Sequence, residues 1–232
     1  MSDRELLEEQ LAYYRARAGE YDEWWERLGK YDRGEEENQQ WANEIGVLLG
    51  LFDSLPLDGD IVELAPGTGY WTHLLAERAN SLTAVDGAPE MIACNRTRLG
   101  AKAGAVTYVQ HDIFEWVPPR RFDGMVFCFW ISHVPRSRLT EFFATCHSAL
   151  HDGACVFFVD LRFDPTGFAV EEIRFEEDPE LTLRRLNDGR EFTIIKNYYD
   201  TGELQAAAAA AGIRLEVGYT SKFFQYGIGY AS

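Results

Sequence analysis

The chain predicts an α/β fold, with a mostly parallel sheet covered by helices on both faces. Three observations predict it. Short apolar runs alternate with helical segments from Ile61 to Val159. A glycine-punctuated turn, Gly67-Thr68-Gly69, follows the first of these runs. Acidic side chains, Glu63, Asp86 and Asp112, fall at or beside the carboxyl ends of three successive strands, and in an open parallel sheet that edge binds ligands.

The chain opens on Ser2 and Glu5 at capping-box spacing. Leu7, Leu11, Tyr14 and Ala18 then share one helical face, Gly19 breaks or bends the helix, and Tyr21, Trp24, Trp25 and Leu28 continue the stripe. Residues 29–40 are polar and glycine-punctuated, which predicts a mobile loop. Trp41, Ile45, Leu48, Leu49 and Phe52 mark a second amphipathic helix, and Pro56 and Gly59 a turn.

Strands are expected at 61–64, 81–85, 106–110, 124–129 and 154–159. Helices are expected at 70–78, 89–99 (Pro89 in its first turn) and 138–150. The rhythm then breaks. Residues 181–187 and 191–198 flank Asp188-Gly189, a hairpin signal. Thr201 is expected to cap a helix through Ala211, closed by Gly212, before a final antiparallel pair at 215–220 and 222–231. The whole reads as one domain, residues 1–232, with a helical cap at 1–55 and an inserted cap hairpin at 162–199.

The 232 residues suffice for a sizeable core. A net charge of −16 argues against nucleic acid and anionic membranes, because binding phosphates needs a basic footprint. Cys94, Cys128, Cys146 and Cys155 form no CxxC pair, so neither a disulfide framework nor a zinc site is expected. The acidic start is no signal peptide and no apolar run is long enough to span a membrane, which predicts a soluble, cytoplasmic protein. Six Trp, eleven Tyr and fifteen Phe exceed the needs of such a core; the surplus is expected to line a pocket for a flat or apolar ligand, or else to be extra packing surface or a subunit interface, leaving monomer and homodimer both open.

The glycine turn speaks for a nucleotide-like cofactor, since glycine lets backbone approach a ligand and the helix beyond offers unpaired N–H groups. A dinucleotide fingerprint wants a third glycine where Thr72 stands, which argues against a nicotinamide cofactor. Asp86 is placed to accept from ribose hydroxyls and Asp112 from an exocyclic amine; helix capping or turn formation is the alternative for both.

The runs ELAPGTG, VDGAPEMI, HDIFEW and FDGMVFCFWISHVP together resemble the class I S-adenosylmethionine-dependent methyltransferase family, strongly over 61–159 and more loosely at the flanks. The resemblance implies a Rossmann-like seven-stranded sheet, six strands parallel and the last antiparallel. It implies S-adenosylmethionine as cofactor and S-adenosylhomocysteine (SAH) as product. Gly67, Gly69 and nearby backbone would face the methionine part, with Glu63 beneath. Asp86 and Gly87 would lie at the ribose, Ala88 and Met91 near the adenine, Asp112 and Ile113 at the adenine edge, and the Phe129 and Trp130 backbone at the methionine amine. Ala65 stands where the family often has glycine, and is expected to keep a negative φ. The run 13–22 is similar to a helix that folds over the cofactor in small-molecule methyltransferases, which makes Tyr14 and Tyr21 candidates and Arg17 a charge partner.

Methyl transfer needs alignment, exclusion of water and, for a hydroxyl or protonated amine, a base. His133, just past the fourth strand, is the candidate base, or else orients its loop. No acid pair suggests a metal. Trp24, Trp130 and Tyr198 are candidate acceptor contacts. The insert mixes Phe163, Phe168, Phe175 and Tyr199 with Arg174, Arg184 and Arg185, which suits a flat, partly anionic small molecule or a dimer contact. The expected function is methylation of an oxygen or nitrogen of a small aromatic or heterocyclic metabolite. A non-catalytic S-adenosylmethionine-binding protein of the same fold is the alternative.

Overall fold

The computed structural model describes residues 3–167, 173–175 and 177–232. Ser2, half of the expected capping box, and Phe168 of the insert lie outside them. The described strands are β1 (Asp60–Leu64), β2 (Ser81–Asp86), β3 (Val106–Gln110), β4 (Phe122–Cys128), β5 (Leu150–Leu161), β6 (Ile173–Arg174), β7 (Leu181–Arg185), β8 (Glu191–Ile195), β9 (Ile213–Tyr219) and β10 (Phe224–Ala231). Seven of them form one sheet in the order β3-β2-β1-β4-β5-β10-β9. Six run in one direction, and β10 opposes both of its neighbours. The chain moves outward from β1 to β3 and returns to β4 beside β1. That reversal opens a crevice at the carboxyl ends of the strands.

The helices are α1 (Asp3–Arg17), α2 (Tyr21–Trp25), α3 (Glu35–Asp53), α4 (Tyr70–Leu75), α5 (Pro89–Leu99), α6 (Leu139–Ser148) and α7 (Thr201–Ala210). Strand side chains alternate between faces, so each strand feeds two cores. Val62, Met125, Phe127, Val156 and Phe158 pack with α6 and α7. Ile61, Val126, Phe157 and Val159 pack with Trp24, Trp41, Leu48, Phe52 and Trp71 from α2, α3 and α4.

The cap joins two distant segments. β6, β7 and β8 form a small antiparallel sheet, and α1 lies on β8. Tyr13 is buried with Leu186 and Ile194. Glu9 and Gln10 accept backbone N–H groups of Thr193 and Ile195 at 2.7 and 3.1 Å. β8 is an edge strand there, and these side chains satisfy strand donors that no neighbouring strand takes.

Several boundaries differ from the expected ones. Residues 29–40 are not a loop throughout: a short 3-10 turn covers 29–31 and α3 starts at Glu35. Three acids in its first turn suit the helix dipole, and Asp32 accepts from Gly34 N–H and from Asn38. α4 stops at Leu75, where the Arg78 guanidinium turns to donate to Phe52 and Leu55 carbonyls. α7 is capped by Asp200 rather than Thr201, in a reciprocal box with Glu203. β8 ends at Ile195 because Lys196 and Asn197 turn inward to side-chain and backbone partners of the loop after β4.

Candidate active site

Three segments converge on the crevice: the turn after β1, the end of β2, and the segment leaving β4. The first is tightly wound. Ala65, Gly67 and Gly69 have φ of 50°, 53° and 95°. The negative φ expected at Ala65 is therefore corrected: its N–H donates to Val85 O at 2.9 Å, which binds the residue to β2 while the chain reverses. Phe129 takes φ 59° as it leaves β4. Two non-glycine residues in the left-handed region, facing one cavity, mark strain held by their surroundings.

Gly69 has a packing reason as well as a conformational one. A Cβ there would come within 2.8 Å of Asn95. Asn95 donates to Thr72 Oγ1 at 2.8 Å and accepts from the Tyr108 hydroxyl at 2.7 Å. Thr72, in the place of a third glycine, thus pins the turn from below. Gly69→Ala is expected to cost about 1–2 kcal/mol from the left-handed backbone alone, read by chemical denaturation, with weakened SAH binding in calorimetry. Wild-type values in both would show that neither the left-handed backbone nor Asn95 requires glycine here.

Glu63 and Asp86 are buried beside this turn, and Asp112 is exposed at the rim. Asp86 accepts from Gly67 N at 3.2 Å and Ala88 N at 2.8 Å, so it shapes the turn as well as facing the cavity. Burial outweighs these bonds and raises its pKa to about 6. Glu63 lies deeper, with Oε2 buried and unpartnered, and burial raises its pKa to about 8. Asp112 accepts from Phe114 N at 2.9 Å.

A cavity occupies the crevice. Tyr14, Tyr21, Ala65, Gly67, Asp86, Gly87, Met91, Asp112, Ile113 and Phe129 line it, as do Trp130 and His133. Glu63 lines a smaller cavity beside the turn, together with Trp24 and Trp25. Gly69 and Tyr198 line none of these spaces; Tyr198 packs against Phe163 and Arg174 instead. Sequence reasoning missed Leu7, Gln10 and Leu11 of α1 and also Cys128. The helical stripe flagged Leu7 and Leu11 as apolar, but not as facing a ligand.

His133 is buried, and its hydrogen bonds settle its tautomer. Nδ1 meets Ile195 O at 2.7 Å, and a carbonyl only accepts, so Nδ1 carries the proton. Nε2 then accepts from the Tyr14 hydroxyl at 2.6 Å. Burial, with Lys196, Arg184 and Arg17 nearby, holds the imidazole pKa well below its usual value. His133 is therefore neutral, with both ring nitrogens engaged.

Among the described residues no cluster of three or more His, Cys, Asp or Glu side chains is placed to hold a metal ion, and no helix is long and apolar enough to cross a membrane. The crevice fits S-adenosylmethionine. It has buried acids at the ends of β1 and β2, glycine backbone in the turn between them, and a mostly apolar lining between these polar groups.

Comparison with known proteins agrees. A family model described as a methyltransferase domain matches residues 61–153. No curated protein matches the chain. Among solved structures, the DhpI–SAH complex is 32% identical, covering 100% of this chain and 99% of that one, with a TM-score of 0.80. The DhpI–SAM–HEP complex is 33% identical over 99% of both chains, also at 0.80. An S-adenosylmethionine-dependent methyltransferase from Clostridium acetobutylicum shares the fold at 15% identity and TM-score 0.64, over 94% of this chain and 99% of that one. With a relative of this identity matched end to end, and a crevice built for this cofactor, the chain belongs to the class I S-adenosylmethionine-dependent methyltransferases.

Proposed function

We propose that the chain methylates an oxygen or nitrogen of a small molecule, with residues 1–55 and 162–199 acting as the cap that selects it. The observation that carries this reading is that the cap supplies part of the crevice wall. Leu7, Gln10, Leu11 and Tyr14 of α1 line the cofactor cavity, and Tyr14, Tyr21, Phe129 and His133 are shared between that cavity and a smaller one beneath the cap. A helix laid across the crevice leaves less room for a polymeric acceptor than for a small one. The rings of Tyr14, Tyr21, Trp24 and Phe129 suit an apolar or aromatic body on the acceptor. DhpI has been solved in a complex with SAM and HEP together.

S-adenosylmethionine supplies a methyl group on a positively charged sulfur. The protein residues have three tasks. Asp86 and Asp112 fix the nucleoside end by accepting hydrogen bonds. The turn after β1 and the segment after β4 fix the methionine end through backbone. Tyr14, held by His133, fixes the wall where acceptor and methyl meet. His133 orients rather than abstracts, because Nε2 already takes the Tyr14 proton donor.

Calorimetry with SAH against NAD, followed by labelled-methyl turnover over a panel of small metabolites, tests the reading. Binding of NAD alone would refute it. His133→Ala is expected to lower turnover about 10- to 100-fold, the scale of a lost orienting contact, with SAH affinity little changed. The pH profile separates the two roles: an orienting histidine leaves the acid limb of kcat/KM where it was, whereas loss of a base removes that limb.

A further inference from the structure

The smaller cavity beneath the cap is cationic in a protein of net charge −16. Arg17, Arg184 and Lys196 all line it, and each is nine-tenths or more buried, with 6%, 9% and 3% exposure. They reach it from three elements. Arg17 ends α1. Arg184 faces inward on β7 with Thr182, as the two-residue period requires, while Arg185 faces out to Glu191. Lys196 follows β8.

Burying a cation costs free energy unless something compensates it. Lys196 has Asp160, at 3.1 Å. Arg17 forms no ion pair among the described residues. Its Nη2 donates to the Tyr31 hydroxyl at 3.3 Å, its guanidinium stacks 4.8 Å from the Tyr21 ring, and Nε is buried without a partner. A guanidinium kept in this state, beside two further cations, is a receptor for an anion. Tyr21 and His133, which line this space, also line the cofactor cavity, so an anion here lies next to the cofactor.

We propose that this cavity is an oxyanion subsite, that it holds the carboxylate or phosphoryl-type oxyanion of the methyl acceptor, and that an oxygen of this anion takes the methyl group. The inference rests on the reading of the larger cavity as the cofactor site. The chemistry balances without a base. The acceptor oxygen forms its bond to the methyl carbon as the sulfur–methyl bond breaks, and that bond's electron pair stays on sulfur. One negative and one positive charge are neutralised, and no proton moves. This accords with a His133 whose two nitrogens are both engaged. A protonated amine, by contrast, meets three cations of its own sign.

The test is calorimetry on the SAH-loaded protein with inorganic phosphate and with acetate, at constant ionic strength. Saturable binding of one oxyanion per chain is expected. In Arg184→Gln, and separately in Arg17→Gln, oxyanion affinity is expected to fall about tenfold or more relative to SAH affinity. Tighter phosphate than acetate assigns a phosphoryl acceptor, and the reverse assigns a carboxylate. Wild-type protein that binds SAH but neither oxyanion saturably overturns the subsite and leaves the cofactor site standing. Protein that fails to bind SAH overturns the cofactor-site reading itself. The wild-type titration decides the matter even if a variant does not fold.

Discussion

Asp86→Ala is expected to weaken SAH binding by about 2–4 kcal/mol, roughly 30- to 1,000-fold, which is the scale of a lost pair of charge-assisted hydrogen bonds. Isothermal calorimetry reads it directly. Two contributions combine. The carboxylate proposed to accept from the nucleoside is removed, and the bonds from Gly67 and Ala88 that shape the turn are lost with it. Stability should change far less. With its folded-state pKa raised to about 6 against an ordinary 3.8, the folded chain holds the Asp86 proton more tightly than the unfolded chain does. Ionisation then works against the fold, so this contribution to stability falls as pH rises from about 4 to 6. Removing the carboxyl lifts that penalty while sacrificing the turn bonds. Binding has the opposite sign, because the ionised form is the acceptor: SAH affinity should fall as pH drops through about 6. Asp86→Asn should flatten that step. Glu63, raised to about 8, interacts with Asp86, and the Asn variant isolates the Asp86 part. Unchanged SAH affinity in Asp86→Ala would remove this residue from the site.

The residues that line the crevice were legible because their chemistry is local. Strand, glycine turn and strand-end acid lie within a few residues of each other, and burial periodicity fixes which way each points. Thr72 shows how far this reaches. Its presence argued against a dinucleotide, and in the fold it takes an Asn95 hydrogen bond that holds the turn. The left-handed backbone at Ala65 and Phe129 was not legible, because it is imposed by tertiary bonds: Ala65 N–H to Val85 O, and Phe129 N–H to Val159 O at 2.6 Å. Neither residue prefers that region, so propensity pointed the other way. The acceptor side was legible only in part. Composition suggested an anion from Arg174, Arg184 and Arg185, yet only Arg184 faces the cavity, since Arg174 lies over Phe163 and Tyr198 on the outside. Lys196 carried no signal. It sits where an extended strand was expected to continue, and its role arises from a long-range contact with Asp160, 36 positions earlier.

That contact carries the second large effect. Asp160→Ala is expected to destabilise the protein by about 3–5 kcal/mol, the cost of stranding a buried charge, as measured by chemical denaturation. Asp160 is fully buried at the end of β5. It accepts from Lys196 at 3.1 Å, from Ser132 N at 2.9 Å and from Leu161 N at 2.7 Å. Removing it leaves two backbone donors and an ammonium group without this acceptor. It also unties the segment after β4, which forms one wall of both cavities. Lys196→Met in the same background should restore part of the stability, because the stranded charge goes with it, while the backbone donors stay unsatisfied. Oxyanion affinity should not recover in that double variant, since Lys196 itself faces the anion. Stability and anion binding thus respond to the pair in different directions, and a double-mutant cycle read by both measurements separates them. Recovery of both would make Lys196 only a structural partner of Asp160 and leave the two arginines to hold the anion. A loss of stability under about 1 kcal/mol in Asp160→Ala would mean that water reaches this end of β5 and that the pair is not buried as the fold requires.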